Sequence, residues 1–216
     1  MKFFAASVLA LAGFAAAVPK TSQPKCKTTK SVATFDDQSY TLALPIVNPV
    51  GTYKGLHYEG FSGADTELFG LSIQPVKPPS PPNVIAFGLL NQLTQGTPTV
   101  TVVYPGSKSK YLNLHSLYFA CFVDTIESII NLPQPACTLK VHGFRDGQEV
   151  VTKSFDFKAG SPLLAAKPVK ANFEKGTWCN LDTVTFEAES TIPILNAVAI
   201  DNIDYTLLDK NCHPKL

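Results

Sequence analysis

Apolar and polar positions along this chain fall into short β-rich blocks separated by turn residues, a pattern that predicts strands. Leu56-His57-Tyr58-Glu59-Gly60-Phe61 alternates with the period of two of a half-buried strand. Further blocks run over Ser31 to Phe35, Leu68 to Ile73, Val84 to Leu89, Thr97 to Tyr104, Tyr111 to Val123, Thr183 to Glu189 and Ile194 to Leu207. The clearest hairpin joins Thr138 to Phe144 with Glu149 to Phe157 through Asp146-Gly147, because Asp-Gly between β-rich runs favours a two-residue turn. Asp124-Thr125-Ile126-Glu127 carries an Asp N-cap with Glu three residues on, so one short helix is expected near 124–131, ended by Pro133 and Pro135. Leu42 to Gly55, with two prolines and two glycines, reads as an irregular loop, and Leu163 to Phe173 is ambiguous. About ten short strands with sandwich-like turn spacing predict an all-β fold, a jelly-roll β-sandwich of two antiparallel sheets.

The run Asn196 to Tyr205 is apolar and β-rich yet contains Asp201 and Asp204. A buried carboxylate without a partner is costly, so this strand needs something to meet its charge. Parity places Asp201 with Ala197, Ala199, Ile203 and Tyr205 on a buried face and Asp204 on the other. Asp36 and Asp37 end the first strand. Asp36, Asp37 and Asp201 are therefore candidate ligands of a structural calcium ion, since oxygen-rich clusters suit that cation. The competing reading has these carboxylates accepting backbone N–H groups at strand ends.

The first 17 residues read as a secretory signal peptide: Lys2, an apolar stretch from Phe3 to Phe14, and Ala15-Ala16-Ala17 as a small-residue cleavage site. Residues 18–30 form a polar, flexible lead-in, and 31–212 a single β-sandwich domain. Pro75 to Pro82 holds five prolines in eight residues and reads as an extended surface loop within that domain, the alternative being a linker. No later stretch is apolar enough to span a bilayer, and no hydrophobic C-terminal tail suggests a lipid anchor, so no membrane association is expected. Loss of Lys2 takes the 18 basic residues to parity with the 17 acidic ones, and Arg145 is the single arginine. Nucleic-acid binding, which needs clustered basic residues, is not expected.

Five cysteines in an oxidising compartment should mostly pair. An antiparallel register that sets Phe35 opposite Ile203 also sets Cys26 opposite Cys212. Cys121 and Cys137 flank a short segment that a disulfide would staple. Cys179 is then the free thiol, the alternative being its pairing with Cys121 or Cys137.

No catalytic signature emerges. There is no Gly-x-Ser-x-Gly, and His57, His115, His142 and His213 are scattered. Glu59, Glu67, Glu187 and Glu189 could in principle form a carboxylate pair for glycoside hydrolysis, but charged residues on the wet face of a sheet explain them better. Tyr58 and Trp178 are the aromatic candidates for ligand contact.

Thr34-Phe35-Asp36-Asp37, Tyr53 to Phe61, Leu117-Tyr118-Phe119-Ala120-Cys121, Cys137 to Phe144 and Ala199-Ile200-Asp201-Asn202-Ile203 together resemble small secreted proteins of filamentous fungi with jelly-roll folds. Bacterial surface proteins share the Phe-Asp-Asp and Asp-Asn ends. The opening and closing strands are also similar to those of MAM domains, extracellular jelly rolls whose last strand carries Ala-Ile-Asp-Asp-Ile. Asn202 stands here in place of the second Asp, a departure that bears on the implied calcium site. The resemblance implies a Cys121–Cys137 pair and a secreted, non-catalytic recognition module that binds cell-wall or host-surface carbohydrate. Binding of another extracellular protein, as an effector-like or wall structural protein, is the alternative, and a polysaccharide hydrolase or lyase a third.

Overall fold

The computed structural model describes residues 25–40, 48–68, 71–72, 76–123, 135–158, 165–190 and 196–212. The signal peptide expected over 1–17 and the helix expected near 124–131 lie outside them. The strands are β1 (Thr28–Ala33), β2 (Pro49–Tyr53), β3 (Leu56–Asp65), β4 (Glu67–Leu68), β5 (Leu71–Ser72), β6 (Asn83–Gly88), β7 (Thr99–Thr101), β8 (Ser109–Val123), β9 (Cys137–Arg145), β10 (Gln148–Phe157), β11 (Val169–Asn172), β12 (Thr183–Ser190) and β13 (Asn196–Asp209). A helix, α1 (Leu89–Gln95), follows β6.

The all-β expectation is met. Eleven strands form one continuous sheet in the order β10-β9-β12-β7-β3-β6-β13-β8-β11, with β1 added to β13 and β2 to β3; β4 and β5 form a separate small hairpin. Every strand pairing is antiparallel. Leu112 of β8 exchanges backbone hydrogen bonds of 2.7 and 2.9 Å with Leu181, just ahead of β12. That bridge links the two arms of the sheet and nearly closes it into a barrel. Inside lies a phenylalanine cluster: Phe61 meets Phe87 and Phe186 edge-on at 5.5 and 5.6 Å, the offset geometry that aromatic quadrupoles favour.

The Asp146-Gly147 hairpin forms as expected, both residues at positive φ (51° and 76°). Other boundaries move. The lead-in is ordered from Thr28, where β1 begins. Part of the expected loop at 42–55 is β2, which tolerates Pro49 at its first residue and bulges before Gly51, φ +66°. Helix α1 breaks the usual pattern: its buried residue is Asn91, while Leu90 and Leu93 are 48% and 73% exposed. Asn91 is held by the Ser62 hydroxyl (2.9 Å) and accepts from Gly88 N–H (3.2 Å), so an apolar stripe could not have revealed it.

Both expected disulfides are present, Cys26–Cys212 and Cys121–Cys137, and Cys179 is free. The register that suggested the first was two residues off. Ala33, not Phe35, faces Ile203, because Phe35 adopts φ +63° and has left the strand. Cys212 reaches Cys26 through a turn closed by Cys212 N–H to Asp209 C=O at 3.1 Å.

Candidate functional site

Strand β13 changes neighbours along its length. Ala197 to Ile200 pair with β6, whereas Ile203 to Leu208 pair with β1. Between them the register with β8 slips across Asp201 to Asp204, and Asn202 takes φ +51°. At this seam no strand covers one side of β13, and a loop fills the position.

The loop is the proline-rich segment. Val76 bridges Ala166, Pro82 C=O accepts from Thr66 N–H (2.8 Å) and its hydroxyl (2.6 Å), and Ser80 reaches Asp201. Ser80 N–H donates to Asp201 Oδ2 at 3.1 Å and Asn202 N–H to Oδ1 at 2.6 Å. Ser80 Oγ lies 3.2 Å from Oδ2 and 2.8 Å from Asn202 Oδ1. Asp36 stands at the same seam, its Oδ1 accepting from Asn83 N–H at 3.3 Å, and the Asn83 amide bonds Phe35 and Gln38 carbonyls, both at 2.8 Å. Asp201 is 1% exposed. Burial pushes its carboxyl up to about 7, opposed by the Ser80 and Asn202 donors and aided by the Asp36 charge.

Of the three aspartates proposed for calcium, the structure brings Asp36 and Asp201 to one seam and turns Asp37 away. Asp37 accepts a short hydrogen bond from the Tyr53 hydroxyl, which holds its carboxyl below the usual range. Each oxygen of Asp201 already faces a backbone N–H, and the three carboxylates do not converge as a ligand set. Among the described residues, the trio whose ligating atoms come together is Cys26, Asp209 and Cys212, and its two sulfurs are joined in a disulfide. Asp36 and Asp201 accept backbone N–H groups, as in the competing reading of these carboxylates, and Asp37 accepts a hydroxyl. Asp204, on the other side of the bulge, pairs with Lys30 at 3.6 Å.

Neither aromatic candidate offers a face to a ligand. Tyr58 and Trp178 are each 2% exposed: Tyr58 packs edge-on against Phe35 at 5.4 Å, and Trp178 lies tilted against Phe173 at 4.6 Å. The described histidines are engaged locally: His57 with Thr52 (3.1 Å), His115 with Thr206 (2.8 Å), and His142 between Glu149 (3.2 Å) and Glu187 (3.7 Å).

A different region has the shape of a site. A groove of about 850 Å³ opens beside β1 and the end of β13. Its floor is Leu207 and Gly55, at φ +82°, where a Cβ would lie 2.7 Å from Leu207 Cδ1. One wall is the Lys54-Gly55 turn, fixed to β13 by Tyr205 Oη donating to Lys54 C=O at 2.7 Å. The other is the turn of Tyr104 to Ser107, closed by Ser107 N–H to Tyr104 C=O at 3.1 Å, with Gly106 at φ +87°. The Cys26–Cys212 disulfide clamps one end. Lys27, Lys54, Lys108 and Lys210 line the groove with the half-buried ring of Tyr104; Asp209 is the sole acidic residue among the described lining. Asp209 is turned into its own loop, accepting from Asn211 N–H at 3.0 Å. These lysines come from four separate parts of the chain, so no sequence spacing announces them.

No known family model matches the chain, and no curated protein is significantly similar to it. Among solved structures it is similar to a DUF4465 family protein from Bacteroides caccae, at 13% identity and TM-score 0.51, covering 84% of this chain and 100% of that one. A cyclase from Fischerella sp. TAU aligns at 12% identity and TM-score 0.37, covering 84% and 98%. The first likeness bears on the fold alone.

Proposed function

We propose that the chain is a secreted, non-catalytic jelly-roll module that binds carbohydrate at the groove between β1, β13 and the turns at Lys54 and Tyr104. The groove carries this reading: it is preformed, walled by two rigid turns, and joins an accessible aromatic ring to polar and basic side chains. The nearly closed antiparallel sheet and the likeness to the DUF4465 protein support the architecture, and the two disulfides support an oxidising compartment. The resemblance of the strand ends to secreted fungal jelly rolls and to MAM domains belongs to the same reading. The engagement of His57, His115 and His142 in local contacts supports a role without chemistry.

The test is binding of the disulfide-bonded chain to a panel of cell-wall and host-surface polysaccharides, compared with Tyr104→Ala. Saturable binding that Tyr104→Ala weakens is expected, and binding to no member of the panel would sink the reading. A protein ligand is the second reading, favoured by the exposed Leu90 and Leu93 of α1. A Leu90→Ser/Leu93→Ser variant that loses a saturable protein partner while keeping its fold would establish it.

A further inference from the structure

The groove is built for charge as well as shape. Among its described lining, four lysines face one aspartate. The chain as a whole is close to neutral, so this is a local concentration of positive charge. Two lysines outside the groove form ion pairs, Lys30 with Asp204 and Lys153 with Glu174. Lys27, Lys108 and Lys210 make no ion pair among the described residues. Lys54 donates to Val32 C=O at 3.0 Å, stands 5.0 Å from the centre of the Tyr53 ring and shares the field of the Asp37 carboxylate, so its ammonium is held in place and its charge is offset only in part. A cleft lined by one sign of charge over an apolar floor focuses its field on whatever enters.

Resting on the carbohydrate reading above, we propose that this groove selects an anionic polysaccharide, a chain of sugars bearing carboxylate or sulfate groups. Such a polymer repeats negative charge along its length, which suits ammonium groups dispersed along a groove. Its sugar rings can lie against Tyr104 and Leu207. Lysines act as point charges and do not demand the planar, bidentate geometry that arginine imposes. Duplex nucleic acid is the poorer fit, because the one arginine, Arg145, is committed to the Cys179 and Asn180 carbonyls at 3.0 and 2.9 Å.

The experiment is calorimetric titration of the disulfide-bonded chain with polygalacturonate, its methyl-esterified form, heparin, dextran and duplex DNA. Lys108→Gln/Lys210→Gln removes groove charge from two exposed side chains that hold nothing else, so its thermal midpoint should match wild type. Lys158→Gln/Lys167→Gln removes equal charge away from the groove. Tighter binding of polygalacturonate than of its esterified form is expected, falling with added salt. The groove variant should weaken binding on the order of tenfold and the control variant should not. A preference for heparin over polygalacturonate would assign sulfate in place of carboxylate within the same proposal. Equal binding of the esterified form, equal loss in the control variant, or DNA bound as tightly would overturn it. Salt-insensitive binding of dextran would overturn the charge selection and leave the carbohydrate reading standing, whereas binding to none of the polysaccharides would remove both.

Discussion

Asp201 makes the stability of this protein depend on pH in an unusual direction. Burial raises its carboxyl from 3.8 to about 7, so between those values the folded chain holds a proton that the unfolded chain has released. The state that binds more protons is disfavoured as pH rises, and unfolding free energy should therefore fall from pH 4 to pH 7. The rise from 3.8 to about 7, at about 1.36 kcal/mol per pH unit, sets a ceiling of about 4 kcal/mol on the change. The geometry accommodates the acid form. Ser80 has one hydroxyl hydrogen, and when it donates to Asn202 Oδ1 at 2.8 Å its lone pairs face Asp201 Oδ2 at 3.2 Å, where a carboxylic proton can donate. Asp201→Asn removes the titration. It also sets an amide nitrogen against a backbone N–H, a pH-independent loss of about 1–3 kcal/mol. Urea unfolding of both proteins from pH 4.5 to 7.5 separates the two effects, an offset from geometry and a slope from titration. The wild type should lose stability across that range relative to the variant. Parallel curves, or a wild type that gains on the variant as pH rises, would refute the reasoning. Asp37 and Glu174 act in a separate window: hydrogen bonds from Tyr53 and Lys153 hold them low, so their contribution is present above the ordinary carboxylate range and is lost as pH falls through their folded values.

Other expectations are simpler. Thermal unfolding with calcium and with chelator should give the same midpoint, since the oxygens of Asp201 already accept backbone N–H groups; a midpoint raised by calcium would show native-state binding. Gly63→Ala should destabilise by roughly 1–3 kcal/mol in chemical denaturation, because a Cβ there would sit 2.2 Å from the Tyr40 ring; an unchanged midpoint would show that the ring does not hold its place. Cys26→Ser/Cys212→Ser opens a link across 186 residues and should lower unfolding free energy by about 2–5 kcal/mol in the same assay, an unchanged midpoint counting against a native cross-link.

Strand periodicity made the fold class legible, as did the Asp-Gly hairpin and the flanking cysteines, because each is a local signal. What escaped was set by contacts distant in sequence. Asp201 was legible as a carboxylate in need of partners, but Ser80 is 121 residues away, inside a segment whose prolines advertise only extension. Parity held from Asp201 to Leu207, where buried and half-buried residues alternate, and failed just before the bulge: Ala197 to Ile200 are all buried, so both faces of β13 are covered there. Aromatic identity alone suggested Tyr58 and Trp178 as ligand contacts, and both rings were needed for the core. The lysines of the groove carry no signal in their spacing, since two turns and a disulfide bring them together.

The place of β13 has a consequence for how the chain reaches its native state. It is the last strand of the described chain, yet it lies inside the sheet, between β6 and β8 and then between β1 and β8. During synthesis β6 and β8 must wait with open edges until Asn196–Asp209 emerges. Such non-local pairing is slow, and unpaired edges invite association with other chains. A ribosome-bound chain truncated before residue 196 should hold the β9–β10 hairpin but not the β6–β8 neighbourhood. The Cys26–Cys212 bond, whose second half follows that strand, then records completion of the sheet.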